Sequence, residues 1–221
     1  MLQRLGNSNV KWALAWSALA VVSALIWNPL RAPQADPLHG PPWLYGKPDA
    51  RFTLALFGDL ECPQCQAYLP QLLEWVDRSP NVNLRWHHLA SPDHMRAAVQ
   101  HARLVECIGQ RQGRDGFWKA VAWTHLHGHS PGLPGGLTYA RLSSRLRACV
   151  DSDEVDEVIH RHRGEATGDR SDATPRLRLV DNGRKRAIEF HGPIEPDELL
   201  WALGQLVASD SADAAGFCDM P

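Results

Sequence analysis

The chain has almost no surplus of either charge. Its 23 Lys and Arg residues face 25 Asp and Glu, for a formal net charge of −2. A nucleic-acid-binding domain would show a basic surplus, so that partner class is disfavoured. No segment repeats at a period of 20–50 residues, which argues against solenoids and propellers. No second Cys-x-x-Cys accompanies the pair at Cys62 and Cys65, whereas a structural zinc site built on that pair would need two further ligands at comparable spacing. Disorder is also disfavoured, because 44% hydrophobic against 22% charged residues is the balance of a chain that buries a core. At 221 residues there is room for one good domain with extensions, not for two full domains.

What is present begins at the N-terminus. Residues 12–27, "WALAWSALAVVSALIW", hold no charge and follow Arg4 and Lys11. Sixteen helical residues reach about 24 Å, a little short of the ~30 Å hydrocarbon core, and the adjoining "NPL" brings the run near spanning length. Trp12, Trp16 and Trp27 lie toward its ends, where amphipathic rings favour the interface. The segment reads as a signal anchor, a transmembrane helix over 12–28 with residues 1–11 as a cytoplasmic stub. The alternative is a cleavable signal peptide ending around "APQA". Either way the rest of the chain is exported to an oxidising compartment. Residues 29–48 read as a proline-rich extended spacer.

The exported part alternates element types. "RFTLALFGDL" (51–60) reads as a buried strand. Residues 63–78 turn helical, with a kink expected at Pro70. "NVNLRWHHL" (81–89) alternates as a second strand. A long helix follows from Ser91 as N-cap and Pro92 at the first helical position. "GFWKAVAWTHLH" is a short helix, "GHSPGLPGG" (128–136) a loop, and "TYARLSSRLRACVDS" and "DSDEVDEVIHRHRGEA" two more helices. Two alternating runs around Asn182-Gly183 predict a hairpin, and "EPDELLWALGQLV" a closing helix. The order is β-α-β, a helical block, then β-β-α: an α/β chain.

On spacing alone Cys62-Pro63-Gln64-Cys65 is a redox pair, half a metal site or a staple. The redox reading has a physical basis. A dithiol enzyme needs one accessible, ionised thiol and a second close behind it to resolve a mixed disulfide. A cysteine at a helix N-terminus is stabilised as thiolate by the exposed N–H groups and the dipole. Cys62 sits where strand gives way to helix and is the expected nucleophile; Cys65, one turn on, is the expected resolving thiol.

"YGKPDARFTLALFGDLECPQCQAYLPQLLEW" closely resembles the DsbA-like branch of the thioredoxin superfamily, through Gly46, Pro48, Ala50, Asp59, Cys62, Pro63 and Cys65. The likeness continues through "LRWHHLASPDHMRAAVQHARLVECIGQRQGRDGFW" and, more weakly, to Thr174-Pro175 and the final hairpin and helix, covering roughly residues 43–206. It implies a thioredoxin-like fold over residues 49–206, with a helical insertion at about 91–168 and a tail over 207–221. It also implies a cis proline at Pro175 opposite the cysteines, with Thr174 offering backbone groups to an extended substrate. Departures are Asp169-Arg170-Ser171 and Ala173 just upstream, where relatives carry apolar residues and glycine. Leu56 stands where thioredoxins keep a buried carboxylate, and Asp59 is either a substitute proton relay or a cap of the next turn. Gln64 stands where the strongest oxidants carry histidine. Glu61 opposes a thiolate at Cys62, and Arg176 pushes the other way.

The same resemblance favours a structural disulfide between Cys107 and Cys149, the alternative being two buried thiols acting as small hydrophobes. Cys218 has no assigned role. His125, His127 and His129 read as surface residues and His87-His88 as strand residues, not as metal ligands. Arg176, Arg178, Arg184, Lys185 and Arg186 read as an exposed basic hairpin. No metal and no cofactor is expected.

The expected function is an envelope thiol–disulfide oxidoreductase oxidising cysteines of exported polypeptides, anchored in the bacterial inner membrane through residues 12–28 with its domain in the periplasm. A soluble periplasmic form after cleavage is the alternative location. A membrane redox partner would reoxidise it. The competing readings are a reductase of the same fold and a non-catalytic membrane-tethered chaperone or assembly factor.

Overall fold

The central strand is set by an unbroken apolar run. In the computed structural model, which describes residues 40–92, 95–127, 142–166 and 173–214, β2 (Phe52–Gly58) is buried along its whole length. A strand covered on both faces has no reason to alternate. On one side β2 pairs in parallel with β3 (Val82–His88), and on the other antiparallel with β4 (Arg176–Asp181). The edge strands are the short β1 (Leu44–Tyr45), antiparallel to β3, and β5 (Arg186–His191), antiparallel to β4, for a sheet order of β1-β3-β2-β4-β5. Leu54 lies level with both Leu84 and Leu179, and Leu56 with Trp86 and Leu177. These two rows form the floor of the main core.

That core is closed by α1 (Pro63–Arg78) through Tyr68, Leu69, Leu72, Trp75 and Val76, and by α5 (Pro196–Ala214) through Leu199, Ala202 and Leu206. Phe117, Trp118 and Val121 of α2 (Met95–His127) complete it. Ala55 and Phe57, on the opposite face of β2, pack with Leu89 and with Ala166, the C-cap of α4 (Asp153–Glu165). A satellite cluster joins α2, α3 (Ser144–Val150) and α4 through Leu104, Cys107, Leu142, Val150 and Val155. There Cys107 and Cys149 are disulfide-bonded, with Cα atoms 5.9 Å apart. All described residues belong to one compact unit, 35–221. This is a mixed α/β, thioredoxin-like arrangement with a helical insertion between β3 and β4.

Several local expectations change. Residues 43–45 fall in the proline-rich stretch read as a spacer, yet they form β1 and an anchor of the core. Trp43 is 1% exposed and stacks on Phe117 at 5.4 Å. A Cβ at Gly109 would lie 2.6 Å from the Trp43 ring, so the helix approaches this indole only because residue 109 has no side chain. Pro70 lies inside α1 without ending it. The long helix and the short helix expected after Ser91 are two segments of α2 meeting at Gly113, whose φ of 73° and ψ of −168° break the helical path. The hairpin loop takes four residues, 182–185, and its left-handed residue is Lys185 (φ 57°), not Gly183. The Asp181 carboxylate draws the loop closed by accepting the N–H groups of Gly183 and Arg184. The last helix runs on to Ala214, through the small residues expected to be a tail. Arg176 is not part of an exposed basic hairpin: it is buried, donates to the Ala166 carbonyl and lies over the Phe57 ring. Among the described residues no helix is long and apolar enough to cross a membrane. The 12–28 segment, residues 169–171, His129 and Cys218 lie outside the described residues.

Candidate active site

Cys62 is the N-cap of α1, with extended backbone (φ −74°, ψ 119°) followed by Pro63 in the first turn. Proline suits that place because its missing N–H would have no helical partner. The turn leading in is tied by the Cys62 N–H to the Asp59 carbonyl at 3.2 Å. Cys62 is largely buried and Cys65 almost completely so, and both are free thiols. Across from them the Thr174–Pro175 peptide is cis. The Cys62 thiol donates to the Thr174 carbonyl at 3.5 Å, and the Pro175 carbonyl is held by the Gly192 N–H at the end of β5. The fold thus brings together Cys62, Cys65 and Thr174-Pro175 across more than a hundred residues.

The two thiols are unlike. The Cys62 thiol is lowered to about 5. The largest cause is the hydrogen bond from the Cys65 thiol; burial opposes it, and the Thr174 side chain and the N–H groups of Cys65 and Gln64 add to the lowering. The Cys65 thiol is raised, first by donating to Cys62 and then by burial. One sulfur is built to be an anion and the other to keep its proton.

Asp59 is buried beside this turn. Its Oδ1 accepts the Glu61 N–H and its Oδ2 the Ser91 N–H, each at 2.8 Å. The geometry is that of a cap joining the end of β2 to the segment after β3. Glu61, next to Cys62, has its carboxylate Oε1 against Nδ1 of His101 of α2.

Sequence reasoning missed a buried polar cluster behind the sheet. His88, Glu106 and His162 offer possible ligand atoms within 4.8 Å of one another. Their hydrogen bonds argue against a metal. The indole N–H of Trp86 donates to His88 Nδ1 at 3.0 Å. In the neutral ring the proton is then on Nε2, which faces Glu106 Oε1 at 3.1 Å and has no lone pair to offer. The Trp43 indole donates to the other Glu106 oxygen at 2.7 Å, and the His88 N–H occupies His162 Nδ1. Burial pushes Glu106 up to about 8 and His88 down to about 3, and holds His162 well below its ordinary value. His125, read as a surface residue, is half-buried with its ring edge-on to Trp86, and desolvation lowers it to about 4. The signal in the sequence was weak: two indoles, one glutamate and three histidines that lie far apart in the chain and form no local motif.

No protein-family model matches the chain, and comparison with curated proteins finds no match. Solved structures do match. Pseudomonas aeruginosa DsbA2 is 38% identical over 77% of this chain and 95% of its own, with a TM-score of 0.70. The chain belongs to the DsbA family. It is accordingly a protein thiol–disulfide oxidoreductase. More distant structures share the fold: a thioredoxin-like oxidoreductase from Silicibacter pomeroyi (19% identity, 79% and 98% coverage, TM-score 0.58) and α-DsbA1 of Wolbachia pipientis (14%, 77% and 93%, 0.56).

Proposed function

We propose that this DsbA-family protein oxidises dithiols in exported polypeptides, with Cys62 as nucleophile and Cys65 as resolving thiol. The observation that supports it is the asymmetry of the two sulfurs. In the oxidised enzyme a substrate thiolate attacks Cys62 Sγ. The Cys62–Cys65 bond breaks, Cys65 leaves with the electron pair and takes a proton, and a mixed disulfide forms on Cys62. A second substrate thiolate attacks the substrate sulfur of that bond and releases the Cys62 thiolate. Two electrons pass from substrate to enzyme, and the substrate gains one disulfide. A nucleophile stabilised as thiolate stabilises the reduced enzyme, which favours the oxidising direction. Thr174 and Pro175 line the approach of an extended substrate. Asp59 acts here as the cap of the active-site turn, and a proton-relay role would have to be added to that.

The location we propose is the periplasmic face of a bacterial inner membrane, anchored through residues 12–28, or the periplasm itself after cleavage. A membrane redox partner reoxidises the pair. The test is the reduction potential of the Cys62–Cys65 couple in the full chain in detergent, equilibrated against glutathione with the other cysteines followed by mass. A value near about −120 mV supports the oxidase, and one near about −270 mV makes the protein a reductase. A pair that never cycles would leave the scaffold reading in its place.

A further inference from the structure

We propose that His101 is a positioning residue for Cys62: it holds the neighbouring Glu61 carboxylate in an ion pair so that this carboxylate does not oppose the Cys62 thiolate. The proposal rests on reading Cys62 as the nucleophile.

Glu61 immediately precedes Cys62, and its main chain is fixed by donation to Asp59 Oδ1. Its side chain is only 12% exposed, so water screens its charge poorly. An anion so placed disfavours a second anion on the next residue. His101 reaches it from α2, a separate element, and is itself 3% exposed, with Nδ1 against Glu61 Oε1. Buried carboxylates and imidazoles are tolerated when paired and costly when alone, so each accounts for the burial of the other. The pairing directs the Glu61 charge toward His101. The other carboxylate at this turn, Asp59, is held by the N–H groups of Glu61 and Ser91. Between the cysteines, Gln64 carries no charge. The compensating histidine is therefore supplied from another helix, where no local motif would display it.

The experiment measures the Cys62 ionisation midpoint, from the pH dependence of iodoacetamide alkylation read by mass, in the reduced full chain in detergent. His101→Ala, Glu61→Gln and the double variant are compared with the parent. Leaving Glu61 unopposed should raise the midpoint by about one unit, slowing alkylation about tenfold below it. The couple should become more reducing by about 30 mV, the same tenfold converted for two electrons. Glu61→Gln should leave the midpoint at or below the parent value, and the double variant should match Glu61→Gln. An unmoved midpoint in His101→Ala, or the same upward shift in the Glu61→Gln background, overturns the proposal. If His101→Ala does not fold, His101→Gln against Glu61→Gln/His101→Gln decides it: a rise confined to the first supports it, and equal midpoints overturn it. Alkylation needs no turnover. A reducing potential in the parent would sink the oxidase reading while leaving the differences among variants to be read.

Discussion

Replacing Cys65 with alanine isolates the largest contribution to the Cys62 thiolate. The Cys65 thiol is the first cause of the lowering of Cys62 to about 5 from an ordinary 9.0, and the substitution removes it. The N–H groups of residues 64 and 65 and the Thr174 side chain, which also lower it, stay in place. A hydrogen bond to a charged acceptor contributes about 1.5–3 kcal/mol, and one pKa unit is about 1.36 kcal/mol. The midpoint should therefore rise by about 1–2 units, to about 6–7, and stop well short of 9. At pH 5 the thiolate fraction falls from about one half to between about 1% and 9%. Thiolate absorbance near 240 nm in the single-cysteine active site follows this directly. A midpoint that stays at 5 would mean that the helix N-terminus and Thr174 suffice without Cys65. One that returns to 9 would mean that they contribute nothing. Either result refutes the account of the site given above.

Two further predictions concern the fold. His88, His125 and His162 are held neutral by burial, so below about 6.5 the unfolded chain takes up three protons that the native state refuses. Glu106, raised to about 8, keeps one proton that the unfolded chain gives up above about 4.5. Near pH 5.5 the difference is about two protons in favour of the unfolded state, and stability in the oxidised protein should fall by about 2.5 kcal/mol per unit as pH drops. Above about 7 the sign reverses, because the unfolded histidines have by then lost most of their protons while Glu106 holds its own up to about 8. Urea unfolding followed from about pH 5 to 6 and from about pH 7.5 to 8 checks both limbs, with His125→Phe flattening the acid limb by about one proton; no slope between about pH 5 and 6 would mean the histidines are not neutral. Opening the Cys107–Cys149 loop, a separation of 42 residues, by replacing both with alanine should cost about 4 kcal/mol on the chain-entropy model. A loss under about 1 kcal/mol in the same assay would place the staple's contribution elsewhere.

What the sequence made legible was carried by period and punctuation. The apolar run of β2, the 3–4-residue spacing of α1 and the alternation of β3 name their elements because one or both faces are buried. The Cys-Pro-x-Cys at a strand-to-helix junction names its chemistry for a similar local reason. What stayed hidden depends on partners distant in the chain. Trp43 looked like spacer because prolines surround it, yet Gly109, 66 residues on, leaves the space that buries it. Arg176 looked like part of a basic patch because its neighbours in sequence are basic, whereas its neighbours in space are Phe57 and the Ala166 carbonyl. His125 looked exposed in a glycine-flanked run, and only the Trp86 ring shows otherwise.

The same division holds within the active site. On paper the strand-to-helix junction singles out Cys62 as the nucleophile, but Glu61 opposes its thiolate and Gln64 carries no charge to support it. The difference between the two sulfurs is made by the fold. The helix starts at Cys62, so its sulfur meets N–H groups while that of Cys65 sits one turn deeper. Thr174 arrives opposite Cys62 from 112 residues away, and His101 reaches the carboxylate of Glu61 from a separate helix. A change in the two residues between the cysteines therefore adjusts only part of the balance. The rest is set by Cys65, by the N–H groups at the start of α1 and by the turn before β4, and substitutions at that turn should move the potential without touching the motif.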